Sequence, residues 1–133
     1  MKKWQKILYV LDDIEHLEGI KRYLDEVKLP EVRYVSSTPN YYEVLPAGIN
    51  KATNFKKLAE LIPTKISKIF AIGDYYNDTE MVKAADIGAV TAEAPDDLKK
   101  VADYISVSVT EGAVADFIYY LKNNIQGKDD CNG

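Results

Sequence analysis

The chain has 133 residues, 47% of them hydrophobic and 29% charged, with a net charge of −4 and a pI near 5.0. That is one domain, or one small domain with an appendage, with enough apolar residues for a core. It lacks the basic balance of a general nucleic-acid binder, and a single cysteine, Cys131, excludes a disulfide framework.

Ile7 to Leu11 is a continuous apolar run and predicts a buried strand. It ends in Asp12-Asp13 after five residues, short of the about 7–15 needed for a secretory signal core. No stretch approaches the roughly 20 apolar residues that cross a bilayer, so we expect a cytoplasmic protein with no membrane partner. Residues 14, 17, 20, 24 and 27 are apolar at helical spacing, and Pro30 closes that unit. Val32 to Val35 predicts a second strand, followed by a turn over Ser36-Ser37-Thr38-Pro39-Asn40. Tyr41 to Leu45 predicts a third, stopped by Pro46 and Gly48.

Asn50 is a good helix cap, and Ala52, Phe55, Leu58, Ala59 and Ile62 form one face of the helix that follows, up to Pro63. Lys68 to Ile72 predicts a strand and Asp78 to Ala85 a helix. Ile87 to Val90 predicts a strand, Pro95 to Ala102 a helix, Tyr104 to Val107 a short strand and Gly112 to Leu121 the last helix. Residues 122–133 read as a frayed tail. Alternation of helix and strand predicts an α/β protein with a parallel sheet and right-handed crossovers.

The most informative stretch is residues 69–78, Ile-Phe-Ala-Ile-Gly-Asp-Tyr-Tyr-Asn-Asp. An apolar run ends in Gly73, and Asp74, Asn77 and Asp78 follow. At the carboxyl end of a parallel strand such groups lie where open α/β sheets bind ligands. Two carboxylates and an amide suit a hard cation beside a phosphate, since Mg²⁺ takes one or two protein carboxylates and fills its shell with water and phosphate. The bland alternative is equally open on spacing alone: Asp78 as an ordinary helix cap and Asp74 as a turn residue. Lys51 adds weight. It lies in the first turn of a helix, where the macrodipole disfavours a cation by about 0.3–1 kcal/mol, unless it faces an anion such as a phosphoryl group or Asp78.

Taken in order, Gly48-Ile49-Asn50-Lys51-Ala52, Gly73-Asp74-x-x-Asn77-Asp78, Ile87-Gly88-Ala89-Val90 with Thr91-Ala92-Glu93-Ala94, Ala102-Asp103-Tyr104-Ile105 and Glu111-Gly112-Ala113-Val114 resemble the C-terminal part of a Cof-type phosphatase of the haloacid dehalogenase superfamily. The match runs from roughly residue 41 to 121. The resemblance implies a Rossmann-like core and Mg²⁺-dependent hydrolysis of a small phosphorylated metabolite through an aspartyl-phosphate. It implies that Lys51 stabilises the phosphoryl group and that Asp74 binds Mg²⁺. Asn77 and Asp78 would support phosphate, lysine and metal-bound water. It also implies a division into a partial α/β cap over 1–46, the C-terminal half of the core over 47–128 and a tail over 129–133. Glu93 stands where the family usually has Asn.

The family's Asp-x-Asp-Gly-Thr nucleophile motif has no match here. Asp12 and Asp13 follow an apolar run without the Gly-Thr. Only 39 positions separate Asp12 from Lys51, too few for the strand–helix units normally between nucleophile and lysine. Ser36 or Ser37 could imitate the family's phosphate-contacting Ser/Thr. The expectation is a chain with little or no phosphatase activity alone. The other expectation is a non-catalytic binding or assembly module that forms a homodimer or pairs with a complementary chain. His16 reads as a surface residue, the ten tyrosines as scattered, Tyr75 and Tyr76 as turn residues beside the acidic site, and Trp4 as a residue that had a packing partner.

Overall fold

A computed structural model describes residues 5–125. Expectations for Trp4, Cys131 and residues 126–133 lie outside the described residues. The chain is α/β and forms two three-stranded sheets.

The first sheet consists of β1 (Ile7–Val10), β2 (Val32–Thr38) and β3 (Tyr41–Pro46), in the order β1-β3-β2, with both pairings antiparallel. The expected parallel sheet is therefore not built from these three strands. Ser36, Ser37 and Thr38 do not turn but continue β2, and Pro39-Asn40 alone reverses the chain. So short a link can join only antiparallel strands, because a parallel pair needs a crossover of a dozen residues or more. Helix α1 (Ile14–Val27) begins where Asp13 accepts a hydrogen bond from the Glu15 N–H, and it ends at Lys28 in a left-handed conformation, φ 42°. Its buried Leu17 and Leu24 pack on Tyr42 of β3, whose ring stacks on Tyr34 with centroids 5.9 Å apart.

Helix α2 (Lys51–Leu61) starts with a reciprocal cap: the Asn50 side chain accepts from the Thr53 N–H, and the Thr53 hydroxyl accepts from the Asn50 N–H. Of the apolar face expected for this helix only Ala52 is buried, while Leu58 is 59% exposed and Ile62 is 42% exposed. Helical period sets which side chains share a face, but burial needs something for that face to meet.

The second sheet is parallel, in the order β4 (Phe70–Gly73), β5 (Ile87–Val90), β6 (Tyr104–Ile105). Helices α3 (Thr79–Ala84) and α4 (Asp96–Lys99) connect its strands, and α5 (Ala113–Ile125) follows β6, with Phe117 stacked on Tyr104. Residues 122–125, expected to fray, complete α5. Val82, Val90, Ala94 and Leu98 form its core. Gly88 is required on β5, since a Cβ there would overlap the carbonyl of Val82 on α3. On α5, Asp116 accepts hydrogen bonds from Ser106 at 2.7 Å and Tyr104 at 2.8 Å, and these hold its carboxyl below the ordinary value. The two sheets are tied by Arg33 of β2, which donates to Glu80 of α3 at 2.6 Å.

Candidate functional site

The site lies at the carboxyl end of β4. Gly73 ends the strand, and its lack of a side chain matters because a Cβ would overlap Asp78 Cβ and lie 2.8 Å from Asp78 Cγ. The chain then folds through a 3₁₀ turn, Tyr76–Asp78, closed by the Asp78 N–H donating to the Tyr75 carbonyl at 2.9 Å. That turn carries Asp78 back against Gly73.

Asp78 is 3% exposed and makes no capping hydrogen bond to α3. Its carboxylate is committed elsewhere. One oxygen accepts from the Asp74 N–H at 3.1 Å, and the other forms an ion pair with Lys51 Nζ. Lys51 reaches across from the first turn of α2, so its unfavourable position at that helix start is offset by an anion in contact. The Asp74 side chain lies beside this pair. Burial first, then the neighbouring Asp78 carboxylate, push its carboxyl above the ordinary value, with Lys51 pulling the other way.

Lys51, Asp74 and Asp78 therefore line one cleft of about 620 Å³, with Ile72, Met81 and Ile118 among its apolar walls. Asn77 is not in that cleft. It lines an adjoining one with Lys51, Arg33, Asn50 and Asn54, and its Oδ1 is buried without a partner. Thr91 is a site residue that the sequence motifs do not single out for a role. It is 5% exposed, its hydroxyl has no partner, and it opens onto the cleft beside Asp74. Its position just past β5, level with the end of a neighbouring parallel strand, is the available signal.

The alternatives near the start of the chain lie elsewhere. Asp13 caps α1 and contacts His16 at 2.6 Å, and neither Asp12 nor Asp13 lines the cleft. His16 is exposed. Ser36 is in β2 opposite Tyr42, whereas Ser37 lies across from Asp74 in a further cleft, with Tyr75 and Glu93. Tyr76 points its hydroxyl toward Asp97 at 3.3 Å.

Among the described residues, no three His, Cys, Asp or Glu side chains gather into a metal cage. Two adjacent carboxylates, one of them held above its ordinary value by burial and by the other, nevertheless suit a dication that keeps several waters. Asp74 is the carboxylate free to take it, because Asp78 is engaged with Lys51 and the Asp74 N–H.

The family model of the haloacid dehalogenase-like hydrolases matches residues 1–118. The chain belongs to this family. It is 36% identical over 104 residues to the 5-amino-6-(5-phospho-D-ribitylamino)uracil phosphatase YcsE of Bacillus subtilis, covering 77% of this chain and 42% of that protein. It is also 32% identical over 116 residues to the chloroplastic endoribonuclease YBEY of Arabidopsis thaliana, covering 86% of this chain and 20% of that protein. A haloacid dehalogenase-like hydrolase from B. subtilis superposes with a TM-score of 0.75 at 26% identity, over 88% of this chain and 40% of that one. The chain thus spans well under half the length of these haloacid dehalogenase relatives. No described helix is long and apolar enough to cross a membrane.

Proposed function

We propose that Lys51, Asp74, Asn77 and Asp78 form the electrostatic half of a Mg²⁺-dependent site that hydrolyses phosphate monoesters of small metabolites. One observation carries this reading: a single buried carboxylate, Asp78, holds both Lys51 Nζ and the Asp74 backbone. A cation and a free carboxylate are thereby fixed on one cleft at a parallel strand's carboxyl end. Lys51 offers its charge to the phosphoryl oxygens, Asp74 takes the metal, Asp78 orients Lys51, and Asn77 supports the lysine from the adjoining cleft that Lys51 also lines. Mg²⁺, when bound, supplies charge neutralisation at the transferring phosphoryl group. Donors fixed in advance where charge develops commonly contribute more to such catalysis than any other effect.

Formation of an aspartyl-phosphate needs a nucleophilic carboxylate facing Lys51, and Asp13 is occupied as a helix cap. The 133-residue chain alone is therefore expected to bind phosphate with Mg²⁺ and to turn over little or none. Residues 1–46 act as a partial cap and 47–128 as half of the catalytic core, in a cytoplasmic protein. Turnover of p-nitrophenyl phosphate by the pure chain, abolished in Asp74→Ala, would overturn the expected inactivity. Phosphate binding that ignores both Mg²⁺ and Lys51→Ala would overturn the site.

The open edge of β4 favours a second reading, an assembly module. Among the described residues β4 is paired only with β5, and the cleft beside it is walled by Ile72, Met81, Val114 and Ile118. A strand from a second copy or a complementary chain would satisfy that edge. Sedimentation as a stable monomer at about 100 μM, well above a micromolar Kd, would count against it.

A further inference from the structure

The first sheet has two unlike edges. β2 is tied to the second sheet through Arg33 and Glu80 and carries a bulge between Ser36 and Thr38. β1 is the outer edge, two strand spacings of about 4.8 Å from β2, and among the described residues it pairs with β3 alone. Edge strands are commonly blunted by a charge, a proline or a bulge, and Ile7–Val10 contains none of these. Ile7, Leu8 and Val10 are all exposed, so this edge is apolar on both faces of the sheet. The Leu11 N–H donates to the Asn40 carbonyl at 3.3 Å. In the β1–β3 ladder, Ile7, Tyr9 and Leu11 therefore turn their backbone groups toward β3, while Leu8 and Val10 turn theirs outward, unpaired.

We propose that β1 docks on β1 of a second copy across a two-fold axis at Tyr9, joining two antiparallel sheets into one, with Lys6 of each copy paired to Asp12 of the other. A two-fold axis makes the pairing antiparallel, and outward-turned residues must then meet outward-turned residues. With Tyr9 on the axis, Leu8 faces Val10 and Lys6 faces Asp12, once in each half of the pair. A shift of two positions either way sets Leu8 or Val10 against itself and brings Lys6 against Val10 or Asp12 against Leu8. Charge thus selects one register of this self-complementary run. Asp13 is engaged with His16 and the Glu15 N–H, so Asp12 is the carboxylate for this role. Lys6 already pairs with Glu43 at 3.3 Å, and its ammonium has donors for a second anion. No β1 residue lines the cleft of Lys51 and Asp74, and the surface is distinct from the open edge of β4, so the inference is independent of both readings above.

A short strand buries less than a standard interface, so the association is weak, in the micromolar range. Sedimentation equilibrium of the 133-residue chain from about 5 to 500 μM should follow a monomer–dimer isotherm. Val10→Lys, at an exposed position, should keep the circular dichroism of the wild type and sediment as a monomer throughout. Lys6→Asp and Asp12→Lys should each raise the dimer Kd about 10-fold, because both cross-strand pairs become like-charged. An equimolar mixture of these two variants should associate again, since each chain supplies the charges that the other lacks. A monomer at the highest concentration, a dimer that Val10→Lys leaves intact, or a mixture no more associated than its parts would overturn this inference. None of these outcomes touches phosphate binding by Lys51.

Discussion

Replacing Lys51 with methionine leaves the Asp78 carboxylate, only 4% exposed at its side chain, with one remaining hydrogen bond, from the Asp74 N–H at 3.1 Å. Stripping one partner from a fully buried ion pair costs about 3–5 kcal/mol. Here the Lys51 side chain is 50% exposed, so water reaches one side of the pair and the loss is closer to about 2–3 kcal/mol. Against that, removing a cation from the first turn of α2 gains about 0.3–1 kcal/mol. The net expectation is a destabilisation of about 1–2.7 kcal/mol, which lowers the urea midpoint by about 0.5–1.4 M for a slope near 2 kcal/mol per molar. Asp78→Asn removes the charge that needs compensation. The double variant should therefore be more stable than the sum of the single losses predicts, with a coupling of about 1–2 kcal/mol. Urea unfolding followed by circular dichroism measures all four proteins. A Lys51→Met loss below about 0.5 kcal/mol, or a cycle that closes with no coupling, would refute the buried pair as the element that organises the site.

The raised Asp74 carboxyl predicts a site held at the expense of stability. The folded chain binds this proton more tightly than the unfolded chain, so stability from this group falls as pH rises above the ordinary value of 3.8. Asp74→Asn should then unfold at a higher temperature than wild type at pH 7, with the gain fading toward pH 4, and the opposite order in thermal scans would sink the assignment. Added Mg²⁺ should raise the wild-type unfolding temperature, by mass action, more than that of Asp74→Asn. Gly73→Ala forces its new methyl group into Asp78, and because Asp78 is anchored at two points it should cost about 1–3 kcal/mol in urea unfolding, as overpacked sites do.

What the residues disclose and what they conceal divide along physical lines. Asp74 and Asp78 are legible because a short apolar run, a glycine and a burst of oxygen-bearing side chains leave few places to stand other than a strand's carboxyl end. Lys51 is legible because it sits against a helix dipole, and the cause of that misplacement is in contact with it. Strand direction in the first sheet is not, since an apolar run of four or five residues carries no sign of orientation. Only the length of the link at Pro39-Asn40 does, and Ser36, Ser37 and Thr38 make that link look longer than it is. The exposed face of α2 misleads for a related reason: Leu58 has the right period but meets no layer among the described residues. Thr91 is silent in the sequence because a threonine after a strand is ordinary until its hydroxyl is found buried and alone.

The bond between Arg33 and Glu80 gives the molecule a mechanical linkage. Glu80 stands two positions past Asp78, on the opening turn of α3, and Arg33 belongs to the strand whose far end carries Ser37 and Thr38. That guanidinium ties the antiparallel sheet to the peptide segment whose Asp78 holds Lys51. The orientation of one sheet against the other and the aim of Lys51 thus share a short run of chain, 78–80.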